Sequence, residues 1–125
     1  MENNRLIAEF LTEVDDYWQK DDNQGEGEQL YFQPHNTEFQ QMYPSEMPFN
    51  RDWNWLMEVV KKIDGILYNY SVGYVEGDSE LDDFYELELK GLRYHSNTVF
   101  VSCNIEEVYE SVVEFIKWYK QIKTN

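Results

Sequence analysis

A run of carboxylates between residues 76 and 88 is the part of the chain whose residue types and spacing suggest chemistry. It holds seven acidic residues and no basic one, and every even-numbered position in it is acidic except Phe84. In a β-strand, residues i and i+2 point to the same face and lie about 6.6–7 Å apart. A strand here would present a row of carboxylates that imitates the phosphates of a nucleic acid and binds a basic groove.

A partner-binding surface is therefore predicted on this strand and on one tryptophan. Trp55 lies about a third of a turn from the apolar stripe of the second predicted helix, so we expect it at the margin of the core, where it could contact a partner. The predicted partner-binding residues are Glu76, Asp78, Glu80, Asp82, Phe84, Glu86, Glu88 and Trp55. The alternative is a solvated outer strand face that keeps the protein soluble and prevents edge-to-edge strand pairing.

A metal site is a weaker candidate in the same region. Glu76, Asp78, Glu80 and Asp82 lie in and around a predicted turn and could offer oxygen ligands to Ca²⁺ or Mg²⁺. The glycine and the final glutamate of an EF-hand loop are not at the required positions. The two histidines and the single cysteine do not have the pairwise spacing of zinc ligands. The sequence therefore predicts no resident cofactor.

Motifs that would identify an enzyme are missing from the sequence. There is no G-x-S-x-G nucleophile elbow, no glycine-rich phosphate loop and no H-E-x-x-H pair. A non-enzymatic protein-binding module is therefore predicted, in its sharper form a DNA-mimic inhibitor of a host nucleic-acid-binding or defence protein. A metal-dependent enzyme that uses carboxylates from 76–88, and a homo-oligomeric structural module, remain alternatives.

Charge and composition narrow the choice of partner. The 125 residues contain 25 Asp and Glu against 10 Lys and Arg, which gives a formal net charge of −15. This charge repels nucleic acid and anionic lipid and favours a basic protein surface. The aromatic content of 17% is too high for a disordered acidic tail, so one folded domain over residues 1–125 is expected. A single cysteine and the absence of a long apolar run predict a cytoplasmic protein.

Three amphipathic helices must position these residues. Apolar side chains at i, i+3, i+4 and i+7 predict helices over residues 4–19, 53–67 and 105–122. Between the first two lies a long connection, residues 21–50, which contains a polar, glycine-containing loop over 21–29 and all three prolines.

Side chains that cap helices stand near the predicted starts. Asn3 or Asn4 could cap the first helix, and Asp52 the second. Asn104 and Glu107 form a variant of the capping box before the last helix.

Alternating side chains predict a sheet between the second and third helices. Strands are expected at about 68–75, 81–90 and 98–103, with a bend near Gly91. The predicted fold class is therefore α+β, with an antiparallel sheet of three or four strands packed by three helices.

The helix segments resemble a known group of proteins. The pieces at 4–10, 53–63 and 108–119 are similar to sequences of small uncharacterised phage and prophage proteins, and the layout resembles the phage ABA-sandwich type. The resemblance implies helices packed on a small antiparallel sheet and a mobile-element setting. That group has no established activity, so the resemblance implies no catalytic residue.

Overall fold

The computed structural model describes residues 2–14, 19–21, 30–32, 46–72, 84, 86–95 and 98–124. These residues form helices and strands in the order α–β–β–α–β–β–α. The elements are α1 (Glu2–Val14), β1 (Gln19–Asp21), β2 (Leu30–Phe32), α2 (Trp53–Val72), β3 (Leu92–His95), β4 (Thr98–Val101) and α3 (Ile105–Thr124). The three helices contact one another, and β3 and β4 contact α3 and α2, respectively.

The core lies among the three helices, where their apolar stripes meet. Spacing at three and four residues places these side chains on one face of each helix, and their burial drives the packing. The fully buried helix residues are Ile7, Ala8, Phe10, Leu11, Leu56, Val59, Ile63, Leu67, Val108, Val112, Phe115 and Ile116. The three predicted helices are therefore confirmed, although all three end at different residues from those expected.

The predicted sheet of three or four strands is wrong. The described residues form two separate two-stranded antiparallel sheets, β1 with β2 and β3 with β4. In the second sheet, Leu92 lies opposite Val101 and His95 opposite Thr98. The chain does mix helices with antiparallel strands, so the α+β class holds only in this broad form.

The strand predicted at 68–75 is wrong because helix α2 continues to Val72. Leu67 is fully buried, and the Tyr70 ring lies 6.3 Å from that of Trp118 on α3. Tyr68 and Val72 point outward, with 48% and 64% of their surface exposed. The last turns therefore keep the helical spacing of the core contacts, and residues 73–75 lie outside the described residues.

The strand predicted at 81–90 is also wrong wherever the structure describes it. Phe84 and Glu86 have helical backbone conformations, and the Leu87 N–H donates to the Phe84 carbonyl at 3.0 Å. That short i to i+3 bond closes a turn rather than an extended strand. Residues 87–90 follow without regular structure.

The remaining boundaries differ from the predictions by a few residues. The strand predicted at 98–103 is present as β4, which ends at Val101, and the predicted bend before it contains β3. The helix predicted to reach residue 19 ends at Val14, and residues 19–21 form β1. The last helix begins at Ile105 as predicted and continues to Thr124.

Two of the predicted helix caps are formed. The Asn54 N–H donates to Asp52 Oδ1 at 2.9 Å, and the Glu106 and Glu107 N–H groups donate to Asn104 Oδ1 at 3.0 and 3.3 Å. Each bond satisfies a backbone donor that the helix itself leaves unpaired.

Asn4 does not cap α1, since the helix begins at Glu2 and Asn4 is buried inside it. Its Nδ2 donates to the Met47 carbonyl at 3.0 Å, and its Oδ1 accepts a 2.6 Å hydrogen bond from the Tyr109 hydroxyl. A single side chain thus joins α1, the chain before α2 and α3.

Because the Tyr109 side chain is partly buried, we expect the protein to lose stability at alkaline pH. Burial raises the pKa of Tyr109 above its usual value of 10.0, because desolvation disfavours the tyrosinate. Above pH 10 the unfolded chain then binds fewer protons than the folded one, so the free energy of unfolding falls with rising pH until the folded pKa is passed. We expect Tyr109→Phe to cost about 1–2 kcal/mol at pH 8, and urea titrations should show this gap shrinking above pH 10. A gap independent of pH would contradict the assignment.

Candidate functional site

Phe84 belongs to the core, although it was predicted to bind a partner. Only 4% of its surface is exposed, and its ring centroid lies 5.8 Å from that of Phe115 and 5.5 Å from that of Trp118. A ring enclosed in this way anchors the chain that follows it and is not available to a partner.

Glu86 and Glu88 are exposed, as a partner-binding role requires. They do not share a pleated strand face, because the backbone turns at Phe84–Leu87 and is irregular beyond it. The other predicted acids of this region, Glu76, Asp78, Glu80 and Asp82, lie outside the described residues.

Glu88 lines a cleft of about 650 Å³. Its apolar wall includes Phe84, Leu87 and Leu92, and its charged lining includes Glu88 and Arg93. Apolar walls with a few charged groups at the rim are typical of surfaces that bind another molecule. The cleft runs along residues 87–95, which we call the 87–95 segment.

Gly91 fixes the middle of the 87–95 segment against α3. Its N–H donates to the Ser111 hydroxyl at 2.8 Å, and its carbonyl accepts from the Ser102 N–H at 3.0 Å. A Cβ at this position would lie 2.2 Å from the Glu107 carbonyl oxygen. Glycine is therefore required by the close approach of two backbones, and the charged residues on either side of it are held in place.

The outer face of the β3–β4 hairpin is exposed and partly basic. Arg93 and His95 alternate with the buried Leu92 and Tyr94 along β3. Phe100 lies opposite Arg93 and is 56% exposed. The sequence prediction missed this face, although the alternation of apolar and basic residues over 92–95 was a usable signal.

Asp64 supports the hairpin from α2. Its Oδ1 accepts a 2.9 Å hydrogen bond from the Val99 N–H. Because Val99 lies opposite Tyr94 and its N–H points away from β3, the carboxylate satisfies an edge donor of β4. Because this donor is already bonded to Asp64, the β4 edge is less able to pair with another strand.

Trp55 lies at the margin of the core, as predicted. It is half-buried, and its ring meets that of the buried Phe49 edge-on at 5.5 Å. The indole packs against Phe49, and it is less exposed than Tyr68 and Val72, which point outward from α2. Its contact with a partner stays a prediction.

The described residues contain no group of three or more His, Cys, Asp or Glu side chains that could hold a metal ion. The four acids proposed as weak metal ligands are outside this description. Within the same described part of the chain, none of the helices combines the length and the apolar character needed to cross a membrane.

Comparisons with known proteins find no match to the chain. No protein-family model matches it, and neither a curated protein nor a solved structure is similar to it. The functional conclusion therefore rests on the chemistry of the residues, and the resemblance to phage proteins stays a prediction.

Proposed function

We propose that this chain is a non-enzymatic protein-binding module of the cytoplasm that uses exposed carboxylates to bind a basic surface. The observation that carries the proposal is the pair Glu86 and Glu88, exposed next to an open cleft. The neighbouring Gly91 anchors this part of the chain to α3, so the carboxylates are held on a supported surface. A supported charge loses less conformational entropy on binding than one on a free tail.

The net charge of −15 supports a basic partner. A strong negative field attracts positive surfaces over roughly a Debye length, about 8 Å at physiological ionic strength, and repels nucleic acid. Complementary charge raises the association rate and selects against wrong partners more than it adds affinity. Binding should therefore weaken steeply as salt is added.

The sharper form of the proposal is an inhibitor that occupies the nucleic-acid groove of a host protein, in a phage or prophage setting. Its support is the density of carboxylates between residues 76 and 88. A regular, phosphate-like spacing of carboxylates along a strand cannot be used as support, because residues 84 and 86–90 do not form a strand. The proposed inhibition therefore depends on the density of negative charge and not on the spacing of side chains along a β-strand.

Charge reversal at Glu86 and Glu88 tests the proposal. We expect the double variant Glu86→Lys/Glu88→Lys to lose at least about 10-fold in affinity for a basic partner captured from host lysate at low salt, since two close charge pairs are each worth about 1 kcal/mol or more. The affinity is measured by calorimetry or biolayer interferometry at two salt concentrations.

The matched control is Glu13→Lys/Glu46→Lys. Both residues are exposed and lie on α1 and on the turn before α2, and the variant has the same net charge as the first one. The control should bind like the wild-type chain. Equal losses in the two variants would show that only overall charge matters, and unchanged binding in the first would refute a role for Glu86 and Glu88.

A further inference from the structure

The 87–95 segment contains two basic side chains whose charges are not neutralised by an ion pair with a described residue, as is also true of Arg51 before α2. Lys90 and Arg93 are exposed, and neither forms an ion pair with the residues that the structure describes. Elsewhere, Arg5 pairs with Glu9 at 3.2 Å and Lys117 with Glu114 at 3.5 Å. Lys90 and Arg93 thus keep their charges available, although the chain holds 25 acids.

Acids and bases follow one another in a fixed order along this stretch. Glu86 and Glu88 come first, and Lys90 and Arg93 follow, with Gly91 between the two bases. All four charged side chains are exposed, and both Lys90 and Arg93 line the cleft together with Glu88. The stretch 86–93 is therefore a bipolar surface, negative at one end and positive at the other.

A bipolar stretch complements a second copy of itself. If two copies meet about a two-fold axis that passes between Glu88 and Lys90, the acidic end of each copy faces the basic end of the other. A two-fold interface uses the same patch on both subunits, so every favourable pair occurs twice. Complementary charges also fix the register of such a contact.

We propose that a second copy of this chain binds at the 86–93 stretch, as a two-fold homodimer held by these reciprocal ion pairs. The inference rests on the proposed function, because it names the basic surface that Glu86 and Glu88 bind. The cleft adds an apolar wall of Phe84, Leu87 and Leu92 beside the ion pairs. Gly91 anchors the stretch to α3 between the two bases, and the buried Phe84 ring anchors the chain before the two acids, so the pattern is preformed in each copy.

The net charge gives this dimer an unusual dependence on salt. Two copies at −15 each repel one another over long distances, whereas the ion pairs act at contact. The Debye length is about 30 Å at 0.01 M salt, about 8 Å at 0.15 M and about 3 Å at 1 M. The dimer should therefore be weak at the lowest salt concentration, strongest near 0.15 M and weaker again at 1 M.

The test is a set of charge-swapped variants measured by sedimentation velocity at about 0.1 mM protein, a concentration suited to the weak association of a small interface. The wild-type chain should sediment as a dimer at 0.15 M salt. Glu86→Lys/Glu88→Lys and Lys90→Glu/Arg93→Glu should each be monomeric, because each leaves like charges opposite one another. A one-to-one mixture of the two should form a heterodimer, and the chain with all four substitutions should dimerise again.

Glu13→Lys/Glu46→Lys is the matched control and should dimerise as the wild-type chain does. If circular dichroism shows that Lys90→Glu/Arg93→Glu does not fold, Lys90→Gln/Arg93→Gln takes its place and should be monomeric. A monomeric wild-type chain, a dimer that survives either double variant, or a mixture that stays monomeric would overturn the proposal. A wild-type monomer whose lysate binding still depends on Glu86 and Glu88 would overturn the dimer and leave the proposed function standing.

Discussion

Replacing Gly91 by alanine should lower the free energy of unfolding by about 3 kcal/mol, at the upper end of the usual cost of overpacking. The added methyl group would lie 2.2 Å from the Glu107 carbonyl oxygen and 2.5 Å from the Val108 nitrogen. These are backbone atoms of α3, which cannot rotate away as a side chain could. Relief would require the chain to move off the helix and lose the 2.8 Å hydrogen bond to Ser111.

Gly65→Ala is the matched control for this substitution. Gly65 is exposed within α2, and no atom would come within 4 Å of an added Cβ. Alanine there should raise the free energy of unfolding by about 0.5–1 kcal/mol, since glycine costs a helix interior that much. Urea titrations of both variants measure the difference, and a Gly91→Ala chain as stable as the wild type would show that β3 does not pack on α3 in this way.

Phe115→Ala should lower the free energy of unfolding by about 3–5 kcal/mol, the usual cost of removing a buried phenyl ring. Phe115 is fully buried, and its ring centroid lies 6.3 Å from that of Phe10 and 6.0 Å from that of Tyr119. It also meets Phe84, which joins the candidate site to the core. Since small domains are stable by only about 5–15 kcal/mol, this variant should unfold at much lower urea concentration.

Phe100→Ala provides the comparison at the surface. The same atoms are removed, but Phe100 is largely exposed on the outer face of β4. Its free energy of unfolding should stay within about 0.5 kcal/mol of wild type. Similar losses in the two variants would contradict the placement of the aromatic core around α3.

The faces of the three helices and the starts of α2 and α3 could be predicted because they depend on residues close together in sequence. An apolar stripe repeats every turn, and the caps Asp52 and Asn104 bond to N–H groups two or three residues away. Such contacts form wherever the helix forms. The last helix was accordingly predicted from its correct first residue.

Two of the three predicted strands are wrong in the described residues because alternation alone does not show which side chains meet the core. Tyr68 and Tyr70 lie on the last turns of α2, where Tyr70 faces Trp118 and Tyr68 faces outward. Near the end of the acidic alternation, a turn joins Phe84 to Leu87, and the Phe84 ring enters the core. In both places contact with α3 outweighed local propensity, as tertiary packing often does.

The sequence by itself determined the net charge, the three apolar stripes and the caps of α2 and α3, because these are properties of composition and of neighbours within a turn. The tertiary structure alone decided where the charged 86–93 stretch lies and what holds it. Gly91 meets Ser111 across 20 residues, Asp64 meets Val99 across 35, and Tyr109 meets Asn4 across 105. Pairings at such separations depend on how the helices pack, since no local pattern specifies which distant donor will meet which acceptor.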